Sequence, residues 1–310
     1  MSFSTSDLPE LTRAMTGRFA RLKQKKYRRA EQRYLAEGLR TVAQLCEKLQ
    51  SGRRPAAGLE ALIFGQQLLD DAQTRPGSEP GMLLALAQRA AEEHGIMLYS
   101  AGNRMMEKLS DTRQPQGAIA VAQMPEKAAI TTWLNELAAP APEARFLLAL
   151  DGLADPGNLG TLYRSAAWFD TAGLLLSPAC ADIYNPKVVR STAGATGSLP
   201  LAEVDLPETL KELHTAGYQV YLLDLDETAS SVYEAFEAFF QNRTHHPDSP
   251  GVIVVVGNEA HGISAQLRGR YPAVFIPGSG DAVESLNAAV SGSIAMSSFR
   301  EAGQRIQPQP

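Results

Sequence analysis

Four polar loops of this chain carry the side chains that could do chemistry. In the first, DGLADPGNLGTLYRSAAWF over residues 151–169, Pro156 and Gly157 force a turn, Asn158 stands at a helix start and Arg164 lies nearly two turns further along. These two are either a capping amide with an unrelated surface cation, or parts of one polar site. The second loop, NPKVVRSTAGATGSLPL over 185–201, sets Lys187 and Arg190 beside small residues, which suits close approach of the backbone to a bulky ligand. In the third, Gly257, Asn258, Glu259, Ala260, His261 and Gly262 leave an apolar β-branched run in immediate succession. Glu259 is either a capping carboxylate or a polar anchor, while His261, with no second ligand at metal spacing, reads as a surface histidine. The fourth offers Gly278, Gly280, Glu284, Ser285 and Asn287 ahead of a small-residue helix. Its GSGDAV is a poor dinucleotide loop, because position 283 is valine and the loop follows the last strand rather than the first. Amides and carbonyls presented at two neighbouring strand ends build either a ligand crevice or a plain connection, and spacing leaves both open.

Such loops need a sheet to hold them. FLLALDGL at 146–153 is a continuous apolar run suited to a strand covered on both faces, and it is followed by GLLLS at 173–177, YQVYLLDLD at 218–226, VIVVVG at 252–257 and AVFIPG at 273–278. Helices near 158–169 and 186–193, and a final one from 284 to 301, alternate with these strands, which implies a largely parallel sheet. Upstream lies a basic helix, then an extended Tyr34 to Glu37, a break at Gly38, and Leu39, Val42, Leu45 and Leu49 at helical spacing. ALIFG at 61–65, a helix near 81–93, IMLYSA at 96–101 and AIAVAQ at 118–123 complete a smaller α/β domain. The run AAPAPEA, with Pro140 and Pro142, reads as a linker, with room for one short helix around Trp133. The expected division is therefore an N-terminal domain over 1–126 with a basic arm at 18–40, a linker over 127–144 and a second domain over 145–310.

With 310 residues, 44% of them hydrophobic and 20% charged, the chain buries substantial cores. No apolar run approaches a membrane span and the first residues lack an apolar signal core, so the expectation is a soluble, cytoplasmic protein. Cys46 and Cys180 have no Cys or His at metal-ligand spacing, which leaves neither a disulfide framework nor a zinc site, and both read as buried apolar residues. The net charge of −5 hides an asymmetry: residues 1–54 hold 13 Lys or Arg against 5 Asp or Glu, a net of +8, so the other 256 carry −13. The basic density peaks at Arg18, Arg21, Lys23, Lys25, Lys26, Arg28, Arg29 and Arg33, with Tyr27 and Tyr34 interleaved. That cluster is either a phosphate-binding patch or a solvated helix face.

Taken in order, DPGNLGTLYRSA, GNEAHGIS and IPGSGDAVESLNAAVSGSIA resemble the three signature motifs of the SpoU/TrmH family of RNA 2′-O-ribose methyltransferases in the SPOUT superfamily. KKYRRAEQRYLAEGLRTV and SDTRQPQGAIAVA more loosely resemble the ribosomal-protein-like substrate-binding domain found ahead of it in many members. One departure is Ala260, where many relatives carry glycine. The resemblance implies a parallel-sheet SPOUT domain whose C-terminal segment forms a trefoil knot, working as a homodimer; the residues themselves give the expectation of no membrane association and no metal. It further implies S-adenosylmethionine as cofactor, held by Gly257, Glu259, Gly262, Ile276, Ser285 and Leu286, with Gly278, Gly280, Ala288 and Ala289 suited to a crowded threading. Asn158, Arg164, Glu259, Ser285 and Asn287 are the implied catalytic set, and Arg21, Lys25, Lys26, Arg28, Arg29, Lys187 and Arg190 the implied RNA contacts. In the implied reaction a ribose 2′-hydroxyl attacks the sulfonium methyl; the neutral thioether needs no general acid, but the hydroxyl must lose its proton. A guanidinium stays protonated at ordinary pH, so the expected role of Arg164 is to orient the hydroxyl and the adjacent phosphate. By analogy the substrate is ribosomal RNA. The alternatives are a tRNA 2′-O-methyltransferase and a non-catalytic RNA-binding or ribosome-assembly factor on the same fold.

Overall fold

Strands form where the apolar β-branched runs stand, and helices where apolar residues recur at three and four. The computed structural model describes residues 8–51, 58–225, 229–279, 283 and 285–306. In chain order the elements are α1 (Arg13–Arg21), α2 (Lys25–Glu31), β1 (Arg33–Glu37), α3 (Leu39–Ser51), β2 (Leu59–Gly65), α4 (Gln66–Thr74), α5 (Glu79–His94), β3 (Met97–Ala101), α6 (Asn103–Leu109) and β4 (Ala118–Gln123). There follow α7 (Lys127–Leu137), β5 (Arg145–Leu150), α8 (Pro156–Trp168), β6 (Gly173–Leu176), α9 (Pro186–Ser191), β7 (Leu201–Glu203), α10 (Leu206–Thr215), β8 (Gln219–Leu223), β9 (Ser230–Ser231), α11 (Val232–Arg243), β10 (Gly251–Val256), β11 (Ala273–Phe275) and α12 (Ala288–Ile306). They divide into two units, Met1–Pro125 with Asp182–Ser198, and Glu126–Ala181 with Leu199–Pro310.

The first unit is built on a mixed sheet in the order β1-β4-β2-β3, with β4 antiparallel to both its neighbours and β2 parallel to β3. Alternation along the strands divides the side chains between two cores. Leu62, Phe64, Ala120 and Ala122 pack with Val42 and Leu45 of α3 and Leu83 and Leu84 of α5. Ala61, Ile63, Ile119 and Val121 pack with Phe19 of α1 and Met106 and Leu109 of α6. Fully burying each of the larger side chains contributes about 2 kcal/mol. The segment 182–198 belongs here because Val189 and Tyr184 join the first core, Tyr184 stacks at 4.9 Å from Tyr34, and Asp182 pairs with Arg28. Cys46 is fully buried in this core. The expected single basic helix is two, because α1 ends at Leu22 and Gln24 begins α2 in an extended conformation.

The second unit holds a seven-stranded, all-parallel sheet in the order β7-β6-β5-β10-β8-β11-β9. Central β10, GVIVVV, is buried at every residue, as a strand covered on both faces must be. Leu147, Ala149, Ile253 and Val255 turn toward Leu137 of α7 and Leu206, Leu210 and Leu213 of α10. Phe146 meets Phe236 of α11 and Phe299 of α12, with ring centroids 6.3 and 5.2 Å away. α12 lies against α8 so closely that a Cβ at Gly292 would sit 2.5 Å from Leu162 Cδ2. Within the segment 127–144, the short helix around Trp133 is α7, and it docks, Trp133 donating its indole N–H to Ala172 O at 3.1 Å while Arg145 bonds three carbonyls at the end of that helix. The last helix starts at Ala288, later than its expected start at 284. Helices α4, α6, α10 and α11 had no counterpart in the expected order. Cys180 is half-buried, its thiol donating to Leu150 O at 3.1 Å. No helix among the described residues is long and apolar enough to cross a membrane.

Candidate active site

Parallel strands deliver their C-terminal ends, and the loops that follow them, to one edge of the sheet. The loop after β5 ends in Asp155-Pro156, a side-chain acceptor followed by a proline preset for the first helical turn. Asp155 Oδ1 accepts the Asn158 N–H at 2.8 Å, so the cap of α8 is Asp155. This corrects one reading of Asn158: its side chain lies inside the first turn and is free to reach elsewhere. Asn158 Nδ2 donates to Glu259 Oε1 at 2.9 Å, and its Oδ1 accepts from Asn287 Nδ2 at 3.0 Å. Asn287 in turn caps α12, its Oδ1 accepting from the N–H groups of Ala289 and Val290 at 2.9 and 3.3 Å. That cap sets the later helix start. The chain Glu259–Asn158–Asn287 thus fastens the loops after β5, β10 and β11 to one another.

The loop after β10 is closed on itself. Asn258 and Gly262 exchange backbone hydrogen bonds at 2.9 and 2.8 Å, and Gly262 takes φ +66°, which favours glycine. Asn258 Nδ2 reaches Gly152 O at 2.7 Å, while its Oδ1 accepts the N–H groups of Ala260 and His261. Ser264 N donates to Asp151 Oδ2 at 2.8 Å, a second tie between the ends of β5 and β10. A Cβ at Gly257 would lie 2.4 Å from the backbone carbon of Gly262, so the backbone folds tightly back on itself there. Asn258, Asp155 and Asp151 are the positioning residues that sequence reasoning overlooked. Of these, only Asp155, ahead of a proline, carries a local signal.

The other expected site residues stand as follows. Arg164 is exposed on α8 and has no hydrogen bond or ion pair among the described residues. Its neighbour Ser165 accepts from Ser293 Oγ of α12 at 2.8 Å. Ser285 and Leu286 are exposed just ahead of Asn287, and Ile276 is half-buried after β11. No hydrogen bond or ion pair joins Arg164, Ser285, Ile276 or Leu286 to the Glu259–Asn158–Asn287 chain among the described residues. Gly280 and Glu284 lie outside those residues.

In the first unit, Arg21, Lys25, Lys26 and Arg29 are exposed, with the Arg21 Cζ 5.6 Å and the Lys26 Nζ 4.7 Å from the ring centre of Tyr27. Arg28 departs from the expectation of an RNA contact. Only 2% of it is exposed, and it donates to Leu22 O, Lys23 O and Asp182, so it holds the fold and presents nothing to a ligand. A helix of period 3.6 turns one residue of a basic run inward, and the apolar stem of arginine tolerates that burial when its head is paired. Arg18 bridges Glu31 and Glu60, Arg190 pairs with Asp111 at 3.1 Å, and Lys187 is exposed.

Residues 145–297 match the SpoU rRNA Methylase family, and residues 18–120 match the MRM3-like substrate binding domain. The chain is 32% identical over 245 residues to the 23S rRNA (guanosine(2553)-2′-O)-methyltransferase RlmP of Bacillus subtilis, an alignment spanning 77% of this chain and 88% of that one. A solved TrmH-family protein from Porphyromonas gingivalis shares 26% identity and a TM-score of 0.68 over 94% of this chain and 98% of its own. The AdoMet-bound rRNA methyltransferase of Sinorhizobium meliloti, at 21% identity, shares the fold with a TM-score of 0.70 over 95% of this chain and 97% of its own. With the laced strand-end loops as its local signature, the chain belongs to the SpoU rRNA methylase family.

Proposed function

We propose that this protein transfers the methyl group of S-adenosylmethionine to a ribose 2′-hydroxyl of ribosomal RNA. The observation that carries the reading is the Glu259–Asn158–Asn287 chain, which holds three glycine-bearing loops together at the strand ends. Those loops fit an amphiphilic cofactor. Half-buried Ile276 and exposed Leu286 offer apolar contact, and the tight backbone between Gly257 and Gly262 offers peptide groups at close range. Gly257, Glu259, Gly262, Ile276, Ser285 and Leu286 would hold it; when bound, its sulfonium supplies a methyl group on a neutral leaving group.

The side chains then divide the remaining tasks. Asn158 has both ends of its amide engaged and fixes the Glu259 carboxylate. Arg164, exposed and without a partner among the described residues, orients the 2′-hydroxyl and the adjacent phosphate. Arg21, Lys25, Lys26 and Arg29 attract the RNA backbone, each neutralised phosphate releasing counterions. The protein acts as a homodimer, supported by two apolar side chains left exposed on paired helices, Trp168 of α8 at 82% and Val290 of α12 at 47% exposure. The path of the loops into α12 is proposed to be the knotted one, and the place of action the cytoplasm.

Purified protein given labelled S-adenosylmethionine and ribosomal RNA should place label in ribose methyl groups. Arg164→Ala should lower that transfer by about a hundredfold or more, the scale for losing a group that acts at the reacting centre. Full activity in the variant rejects the role given to Arg164, and no ribose methylation of any RNA by the wild type rejects the reading itself.

A further inference from the structure

The first unit contains a cavity of about 450 Å³ that the proposed function does not use. Its floor is the start of α3. β1 ends at Glu37 and α3 begins at Leu39, so Gly38 alone stands in the N-cap position and brings no side-chain oxygen. The first helical hydrogen bond runs from Val42 N to Gly38 O, which leaves the N–H groups of Leu39, Arg40 and Thr41 without an acceptor among the described residues.

A second observation points to a ligand there. Thr41 lines the cavity, is only 6% exposed, and its hydroxyl has no hydrogen-bond partner among the described residues. The Thr41 hydroxyl is not sealed off within the protein and opens to the cavity, where it stands available to a ligand. Gly38, at φ +114°, keeps the floor open: a Cβ there would lie 2.8 Å from Gln116 Oε1 and 3.6 Å from Thr41 Oγ1.

The charges around the cavity determine what it takes. Glu37 is turned away and occupied, accepting from Ser110 Oγ, Thr112 Oγ1 and Asp111 N at 2.5, 3.0 and 3.2 Å. Arg190 is tied to Asp111 at 3.1 Å. Arg40 is held loosely, 3.5 Å from Glu79 with its side chain 88% exposed, and is free to swing onto a ligand at its own helix terminus. Three open amides, the positive end of a 13-residue helix, a hydroxyl and an exposed guanidinium together suit a phosphate group.

We propose that the start of α3 binds a phosphate of the RNA backbone, through the N–H groups of Leu39, Arg40 and Thr41, the Thr41 hydroxyl and the Arg40 side chain. The source of the phosphate rests on the RNA reading above; the anion site does not. Two measurements separate them. In the isotope-labelled full-length protein, inorganic phosphate should move the amide resonances of Leu39, Arg40 and Thr41 saturably, and resonances that stay still up to tens of millimolar overturn the site. In filter binding with ribosomal RNA, Thr41→Val should weaken affinity by about two- to tenfold, the range for one hydrogen bond. Arg40→Gln should lower the slope of log affinity on log salt by about one. Unchanged affinity and slope in the double variant, against a wild type that binds RNA, remove RNA as the source. A wild type that shows the phosphate shifts but binds no RNA leaves the anion site standing and sinks the RNA reading. The thermal midpoint and the amide spectrum of the first unit should stay at their wild-type values in both variants, which checks that they are folded.

Discussion

Two residues show how differently stability and chemistry are distributed in the site. Gly257 has no spare volume: a methyl group there would meet the backbone of Gly262 and Ile263 at 2.4 and 2.5 Å, and backbone cannot step aside as a side-chain tip does. Gly257→Ala should therefore cost about 1 to 3 kcal/mol, the range for overpacking, read as a lower urea midpoint, and should weaken cofactor binding with it. Asn158 is the reverse case. Its bonds to Glu259 and Asn287 lie at the surface, so Asn158→Ala should change stability by less than about 1 kcal/mol while methyl transfer falls by tens of fold. Equal losses of stability and activity would mean that the amide only braces the loops. Far from the site, burial pushes the Cys46 thiol up to about 12 from an ordinary value near 9. The folded state then keeps a proton that the unfolded chain gives up. Stability present in full below pH 9 is lost as pH rises toward 12, at about 1.4 kcal/mol per pH unit. Burial also lowers the Lys48 ammonium to about 8, which makes stability rise with pH over part of the same range, so urea titrations between pH 9 and 11 should show the Cys46 contribution as the difference in slope between the wild type and Cys46→Ala.

At the level of elements, the basic run separates into a ligand face and a structural peg. Reversing Lys25, Lys26 and Arg29 together should lower RNA affinity and its salt dependence without moving the thermal midpoint, since all three are exposed on α2. Arg28→Ala should instead destabilise the first unit by about 3 kcal/mol, because it leaves the Asp182 carboxylate unpaired beside a buried surface. A variant of Arg28 that keeps its stability but loses RNA would restore it to the ligand face. The strands were the most legible elements: β5, β6, β8 and β10 lie within or beside the apolar runs that announced them. Helices α10 and α11 were missed although each carries a start signal, Asp205 accepting from Glu208 N and a capping box at Ser231 and Glu234. The weak period of α11, with Phe236, Phe239 and Phe240 all buried, hid it among loop-like polar residues. Within the expected linker the short helix around Trp133 is α7, and the packing of Trp133 and Leu137, which no local pattern announces, makes it part of the second unit.

At the scale of the whole molecule, the proposed dimer offers the most direct test of assembly. Trp168, 82% exposed on α8, is the side chain the proposed interface would bury, so Trp168→Glu should convert a dimer into a monomer by light scattering. A wild type that is monomeric at micromolar concentration would refute the assembly. The sequence by itself determined the two α/β units, the parallel character of the second sheet, and the loops that carry Asn158, Glu259 and Asn287. These follow from apolar periodicity and turn residues, which act over a few positions. Tertiary structure alone decided which of those residues touch. The bonds from Asn158 to Glu259 and from Asn287 to Asn158 span 101 and 129 residues, and Arg28 finds its carboxylate 154 residues away. No local pattern encodes such a pairing; it arises when strand order brings β5 beside β10, when α12 packs along α8, and when residues 182–198 fold back onto the first unit.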